Sequence, residues 1–478
     1  MAVLENLEPK SVFGFFEEMC AIPHGSGNTK AVSDWLVAFA RERGLEVHQD
    51  RMNNVIIIKE AAPGYENAEP VIIQGHIDMV CEKAPDCTRD MEREGLDLAV
   101  EGDTVYARST TLGGDDGIAV AMALAVLDDG NLLHPRVEAV FTADEEIGML
   151  GAMELDVTPL RGRRMLNLDS EVEGVFTVSC AGGNMTRCFL PLTRVPFDGT
   201  ALTVKVGGLQ GGHSGTEIHK GRGNSNLLMG RVLLAVSQET ALRLISVNGG
   251  MKDNAIPMET TAVLLAENAE TARKVCERLD RELKKEYRVT DPGVFVSLTQ
   301  GGKGLPMDVD STARVLCLLS CVPDGVQTMS ADIPGLVQTS LNLGILTTDE
   351  ETLAASFCVR SSVASQKEML VARLRCLTAQ LGGTVEIRGD YPGWEYRPDS
   401  ALRELLVEIF TRQYGYSPKI EAIHAGLECG MFSGKLPGLD CVSLGPDLTE
   451  IHTCREKMHI SSVQRVWTFL VEALRRMK

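Results

Sequence analysis

The sequence predicts an α/β protein interrupted by an inserted α+β domain, and three observations lead there. Short apolar strands alternate with amphipathic helices from Val12 to Val178. Near Gly182-Gly183 the pattern changes to alternating strands and charged helices. After Asp390-Tyr391-Pro392-Gly393-Trp394 the opening pattern returns. The expected division is 1–184, 185–390 and 391–478, with the outer two segments forming one domain around the middle one. A chain of 478 residues is in any case too long for one ordinary core.

Taken in order, Val12 to Cys20 is expected to be helical, and Ile22-Pro23-His24-Gly25-Ser26-Gly27 breaks it. A second helix runs from Thr29 to Arg43, because Val32, Trp35, Leu36 and Phe39 share one helical face; Gly44 stops it. Val47 and Val55 to Ile58 read as strands. Val71 to Gln74 is a short apolar strand leading into Gly75-His76-Ile77-Asp78, and alternation places His76 and Asp78 on one side of an extended chain. Thr110 to Gly117, T-T-L-G-G-D-D-G, is a glycine-rich turn that opens an alanine-rich helix, Ile118 to Leu127. Val137 to Phe141, Met165 to Leu168 and Val175 to Val178 complete the strands of this part. Histidine or acids stand at three strand ends, His76/Asp78, Glu145/Glu146 and Asp169. Open α/β sheets bind their ligands at the carboxyl ends of their strands.

In the middle segment, Ala201 to Val206 alternates as a strand and runs into a glycine-rich turn holding His213. Helices are expected at Asn226 to Val236, Ala272 to Tyr287 and Lys367 to Leu381, and strands at Thr260 to Ala266 and Val294 to Leu298. The last segment offers a helix from Ser400 to Tyr414, the stretch E-A-I-H-A-G-L-E-C-G at 421–430, a strand from Asp440 to Leu444, and His452 in the loop after it. The closing helix, Ser462 to Met477, sets Val463, Val466, Trp467, Leu470 and Leu474 on one face.

Composition narrows the function. An apolar fraction of 44% and a charged fraction of 24% are those of a soluble globular protein. A net charge of −19 excludes nucleic acid and anionic membrane as natural partners. No apolar run is long enough for a membrane span. The 13 cysteines are scattered with no C-x-x-C pair, which fits free thiols in a reducing cytoplasm and not a disulfide framework or a cysteine zinc site. The start, M-A-V-L-E-N-L-E-P-K, has neither the basic nor the apolar region of a signal peptide, so a cytoplasmic location is expected.

The chemistry centres on Phe141 to Gly148, F-T-A-D-E-E-I-G. Read alone, Asp144, Glu145 and Glu146 make a solvated acidic turn; if they were buried, they would need a cation. Asp115-Asp116 read alone is a helix N-cap, Asp169 a turn former and His452 a loop residue. Together, His76, Asp115, Glu146, Asp169 and His452 offer what a hydrolytic pair of metal ions requires: a bridging carboxylate and terminal ligands on each ion. Nitrogen and oxygen donors without cysteine suit zinc, with manganese or cobalt as alternatives. Glu145 is placed to take a proton from water, and Asp78 to accept the second imidazole N–H of His76.

Four motifs resemble the successive metal motifs of the M20 family of metallopeptidases: G-H-I-D-M-V at 75–80, L-G-G-D-D-G-I at 112–118, D-E-E-I-G at 144–148 and N-L-D-S at 167–170. Within that family, G-G-H-S-G-T-E-I-H-K-G-R-G-N-S-N at 211–226 and H-A-G-L-E-C-G-M-F at 424–432 resemble the aminoacyl-histidine dipeptidases. The resemblance spans essentially the whole chain. It implies a central mixed sheet flanked by helices, of the di-metal exopeptidase type, with the inserted domain as a lid. It implies two divalent ions, with Asp115 bridging, His76 and Asp169 completing one site, and Glu146 and His452 the other. Glu145 would be the general base and acid, Asp78 the support of His76, and His213 the group that polarises the scissile carbonyl or holds the oxyanion. Asn254, Arg360, His424 and Glu428 would contact substrate, Arg360 through its free carboxylate and Glu428 through its free amine or imidazole. One departure is Gly114, where relatives usually carry alanine; it alters loop stiffness and not ligand chemistry. His459 is a second candidate for the role given to His452, which is preferred because it follows G-P-D-L-T-E-I.

The implied activity is hydrolysis of dipeptides, of the Xaa-His type, by a water activated between two metal ions. Broad-specificity dipeptidase, tripeptidase and aminoacylase activities share the same fold and metals, and a non-catalytic peptide binder on this scaffold is the reading from another class. In this family the lid often mediates homodimers, though a lid this large also suits a monomer.

Overall fold

The computed structural model describes residues 3–478. The chain forms two compact units, Met1–Cys180 with Tyr396–Ala422 and Leu427–Lys478, and Ala181–Glu395 with Ile423–Gly426. The second unit is thus a little longer than the expected 185–390, and it recovers a short piece of the last segment. The reason is local bonding: the Ala181 N–H donates to the Ile423 and Ala425 carbonyls, at 3.2 and 3.0 Å, and the His424 ring meets the Ser340 hydroxyl at 2.7 Å.

The first unit is built on a mixed eight-stranded sheet, in the order Glu46–Gln49, Val55–Lys59, Val137–Thr142, Val71–His76, Arg164–Asn167, Asp440–Ser443, Val175–Cys180 and Lys419–Ile423. The strand Val71–His76 runs parallel to both neighbours, and Asp440–Ser443 runs parallel to Arg164–Asn167. Every residue of Val71–His76 and Val137–Thr142 is buried. Strands covered on both faces are rich in apolar residues, and Val71-Ile72-Ile73 and Ala139-Val140-Phe141 made these two legible in the sequence.

The helix Gly114–Asp128 is buried along its whole length up to Leu127. Its alanines let it approach the sheet closely. A Cβ on Gly75 would come within 2.5 Å of an Asp116 carboxylate oxygen and 2.6 Å of the Ala119 Cβ, so only glycine fits there. Aromatic packing of Phe176, Phe410 and Phe469 adds the helices Ala401–Tyr414 and Ile460–Arg476 to the same core.

The register of the parallel strands places the site. His76 pairs with Thr142, and Gln74 pairs with both Val140 and Asn167. The three strands therefore finish at nearly one level, and the segments leaving them begin at one edge. A small four-stranded antiparallel sheet, Leu448–Thr449, Lys457–His459, Thr104–Ala107 and Leu98–Glu101, was not foreseen.

The second unit is a nine-stranded antiparallel sheet with the helices Ser225–Glu239, Ala269–Glu286, Val309–Cys321 and Ala364–Gln380. Burial alternates residue by residue along Thr260–Ala266, as it does when one face of a sheet is packed. Among the described residues no helix is long and apolar enough to cross a membrane.

Candidate metal centre

His76 ends its strand, and its Nε2 lies 3.1 Å from Asp115 Oδ1 and 3.7 Å from Asp169 Oδ1. The other Asp115 oxygen, Oδ2, lies 3.2 Å from His452 Nε2, which is also 2.9 Å from Glu146 Oε1. The Asp115 carboxylate thus presents one oxygen to each histidine. Donor atoms of His76, Asp115 and Glu146 lie within 4.8 Å of one another, and so do those of His76, Asp116 and Asp169. Neither aspartate caps the helix through its side chain, and both have non-helical backbone angles. Asp116 turns an oxygen toward the His76 N–H, at 3.3 Å. His459, the other histidine considered, sits in a strand opposite Thr104.

The expected bond from His76 to the Asp78 carboxylate is long. His76 Nδ1 lies 3.6 Å from Asp78 Oδ1 but 3.0 Å from the Asp78 backbone carbonyl, which orients the ring instead. The Asp78 carboxylate accepts the Ser26 hydroxyl at 2.8 Å and the backbone N–H groups of Glu145 and Glu146 at 3.0 and 3.3 Å. It therefore fixes the turn that carries both glutamates. Asp144, left without chemistry by the sequence, adopts a positive φ of 57° and accepts the Gly27 N–H at 2.7 Å. It is a turn former.

The electrostatics follow from packing acids around two imidazoles. Hydrogen bonds that Asp115 and Glu146 accept from His452 raise it to about 10. Burial works against a charged His76, yet Asp115, Asp169 and Asp78 together push it well above the usual histidine range. Burial also works against an ionised Asp115, but its bonds to His452 and His76 hold it well below the ordinary carboxylate range. In the outlying acids burial prevails over the pull of the histidines. Burial first, then Asp169, Glu428 and Glu146, lift Glu145 to about 9 against the pull of His76. Burial likewise raises Asp169 to about 6, and burial with Asp115 and Asp169 raises Glu171 to about 7. A set of hard oxygen and imidazole donors this rich in carboxylates fits divalent cations, whose charge relieves the repulsion.

One consequence is measurable. A carboxyl whose folded pKa lies above its unfolded value makes the native state bind more protons, so stability falls as pH rises. For Glu145 that fall begins near its ordinary 4.5 and continues through about 9. Protein stripped of divalent ions by a chelator is expected to lose stability between pH 6 and pH 9, and Glu145→Gln is expected to lose less. Urea midpoints at the two pH values check this; equal losses would remove Glu145 as a source.

Glu428 does not fit the substrate contact expected of it. Its side chain is fully buried, and Oε2 accepts from Gln74 Nε2 at 2.5 Å and the Thr142 hydroxyl at 2.6 Å. It sits under the strands that end in His76 and lead to Glu145. Gln74, which also accepts from Asn167 Nδ2 at 2.6 Å, and Thr142 are members of the site that sequence reasoning missed. A buried glutamine inside an apolar strand was the available signal.

Within the second unit, His213, Arg360 and His424 lie together around Gly215. A Cβ there would meet the His424 carbonyl at 2.4 Å, His213 Cε1 at 3.0 Å and Arg360 Nε at 3.2 Å. The N–H groups of Gly215 and Thr216 donate to His213 Nδ1, at 3.3 and 3.1 Å, so the ring carries its proton on Nε2 as a donor. Burial and the Arg360 charge lower His213 and keep it neutral. The same causes, with His213, push His424 down to about 3. Arg360 is buried, donates to the Tyr391 hydroxyl at 3.2 Å, and leaves its Nε without a partner. Asn254 is exposed, and its carbonyl accepts the Ser214 N–H at 2.9 Å.

Comparison with known proteins shows what the chain is similar to. Over 482 residues, 99% of each chain, the sequence is 37% identical to the cytosol non-specific dipeptidase of Escherichia coli (strain K12). The structure matches that of an aminoacylhistidine dipeptidase from Vibrio alginolyticus with a TM-score of 0.93 and 36% identity, covering 98% of this chain and 97% of the other. A likeness in fold alone extends to aminopeptidase PepT from Bacillus cereus, with a TM-score of 0.56 and 15% identity over 98% and 99% of the two chains. Residues 72–476 match the model of peptidase family M20/M25/M40, and with near-full-length relatives at this identity the chain belongs to that family and is a peptidase.

Proposed function

We propose that the protein is a two-metal dipeptidase of the cytoplasm that hydrolyses dipeptides, those of the Xaa-His type among them. The observation that carries this reading is the full-length similarity to two dipeptidases, one named for its lack of strict specificity and one for aminoacyl-histidine substrates. The location rests on the cytosolic relative, and the 13 free cysteines are in keeping with it.

His76, Asp115 and Asp169 would hold one divalent ion and Asp115, Glu146 and His452 the other, with zinc the preferred metal for this donor set and manganese or cobalt as alternatives. Bound there, the ions supply polarisation of the scissile carbonyl and a lowered pKa for water. Glu145 takes the proton of the attacking water and returns it to the leaving amine. Asp78 holds the backbone of Glu145 in place for both transfers. His213, a neutral donor through Nε2, serves the developing oxyanion. Arg360, Asn254 and His424 are assigned to the substrate, Arg360 to its carboxylate.

The test is a substrate panel on protein reconstituted with Zn²⁺, Mn²⁺ or Co²⁺. Xaa-His and other dipeptides are expected to be cleaved, tripeptides and N-acyl amino acids to be cleaved at least about tenfold less efficiently, and a chelator to abolish all turnover. Preference for N-acyl amino acids or tripeptides would replace the dipeptidase reading. Absence of any chelator-sensitive hydrolysis would leave a binding protein.

A further inference from the structure

The loop that carries Asp115 and the loop that carries His452 are joined by one side chain, Glu456. It lies four residues beyond His452 and is 2% exposed. Its Oε2 accepts the N–H groups of Leu112 and Gly113, at 2.7 and 3.1 Å. Its Oε1 accepts those of Gly114 and Asp115, at 2.8 and 3.4 Å. Four successive backbone donors therefore converge on a single carboxylate.

These donors lie at and just before the start of the helix Gly114–Asp128, where N–H groups have no partner within the helix and favour an anion. Glycines make room for it. Gly113 takes a positive φ of 66°, and a Cβ on Gly114 would crowd Glu456 Oε1 at 3.3 Å and Leu448 Cδ2 at 3.2 Å. The glycine before Asp115 thus has a local reason, the seat of Glu456. On its own side, Glu456 is fixed in the turn that follows His452. Its N–H donates to the Thr453 carbonyl at 3.1 Å, and the Thr453 hydroxyl donates to the Glu450 carbonyl at 2.7 Å.

We propose that Glu456 is the positioning residue of the metal centre, locking the Asp115 loop and the His452 loop into one ligand frame. It is not a ligand. It acts through Asp115, whose two oxygens must face His76 and His452 at once, and a carboxylate that fixes the backbone on both sides of Gly114 sets the angle of that bridge. The proposal rests on the two-metal reading above. Groups that orient ligands without touching the metal typically change affinity or activity by about 10–100-fold when replaced.

The test uses full-length protein stripped and then titrated with Zn²⁺ or Co²⁺, in the wild type, Glu456→Gln, Glu456→Asp and Glu138→Gln. Glutamine keeps the size but turns an NH₂ group against two N–H donors. Aspartate keeps the charge and falls short by one methylene. Glu138 is the structural control, a fully buried carboxylate accepting the Arg161 and Gly162 N–H groups near the start of its strand, well away from the strand end that leads to Glu145.

Glu456→Gln is expected to weaken metal affinity about 10–100-fold, to alter the Co²⁺ absorption spectrum, and to lower kcat at saturating metal with KM within about twofold. Glu138→Gln is expected to lose thermal stability with metal affinity and spectrum unchanged. Should Glu456→Gln fail to fold, Glu456→Asp carries the same expectation with a smaller loss. Unchanged affinity, spectrum and kcat in the folded Glu456 variant, or losses no larger than those of Glu138→Gln, would overturn the role and leave the metal centre standing. Wild-type protein that takes up neither ion would overturn the two-metal reading and the role with it.

Discussion

Replacing Glu145 by alanine is expected to lower kcat by about 10²–10⁴-fold while the protein still takes up two divalent ions per chain. The adjacent residues Glu145 and Glu146 divide the labour. Glu146 faces His452 at 2.9 Å and belongs to the proposed ligand set. The backbone of Glu145 is pinned to Asp78 at 3.0 Å, and its surroundings, buried and crowded by Asp169, Glu428 and Glu146, push its carboxyl up to about 9. A carboxyl in such a place holds a proton readily, and the charge of bound cations would bring it down toward the working pH, where transfer in both directions is efficient. Metal content measured beside single-turnover rates separates the two roles. Full activity in Glu145→Ala would remove the proton-transfer role, and loss of the ions along with activity would make Glu145 a ligand.

Much of this site was legible because its residues follow strands that announce themselves. Val71-Ile72-Ile73 and Ala139-Val140-Phe141 are apolar stretches of the strands Val71–His76 and Val137–Thr142, and the chemistry begins beyond them, at His76 and at the turn carrying Glu145. What the sequence could not decide was which member of an adjacent pair faces inward. Asp115 and Asp116 differ only in direction. Asp116 accepts the backbone N–H of His76 at 3.3 Å, and burial raises it well above the carboxylate range. Nor does a sequence show whether the carboxylate or the carbonyl of Asp78 lies nearer His76 Nδ1; it is the carbonyl, at 3.0 Å against 3.6 Å.

The second unit was harder for a different reason. Val337–Thr348 escaped notice because buried Thr339, Ser340 and Asn342 break its apolar pattern. Those polar groups are tolerated because each has a partner: the Ser361 hydroxyl for Thr339 at 2.9 Å, the His424 ring for Ser340 at 2.7 Å, and the Ala255 carbonyl for Asn342 at 2.9 Å. Pairing of this kind links positions distant in the sequence. Glu456 escaped for the same reason: its four donors lie more than 300 residues upstream, with separations of 341 to 344.

The largest loss is expected from Asp115→Ala, which should weaken both ions together. Among the described residues, Asp115 is the one carboxylate whose two oxygens approach different histidines, 3.1 Å from His76 and 3.2 Å from His452. Those contacts outweigh burial and hold it well below the ordinary carboxylate range. Asp169, by contrast, approaches His76 alone, at 3.7 Å. Asp115→Ala is therefore expected to fall below one tightly held ion per chain, with kcat/KM down by about 10³-fold or more, since a bound ion contributes several kcal/mol of charge stabilisation and each 1.4 kcal/mol is tenfold. Asp169→Ala is expected to keep one ion at near wild-type affinity. Asp115→Asn discriminates further: its amide retains a single oxygen, so it can serve one ion and not both. Calorimetric titration with Zn²⁺, read for stoichiometry and affinity, checks all three. Two ions bound at wild-type affinity by Asp115→Ala, or both lost in Asp169→Ala, would show that the bridge lies elsewhere in the cluster.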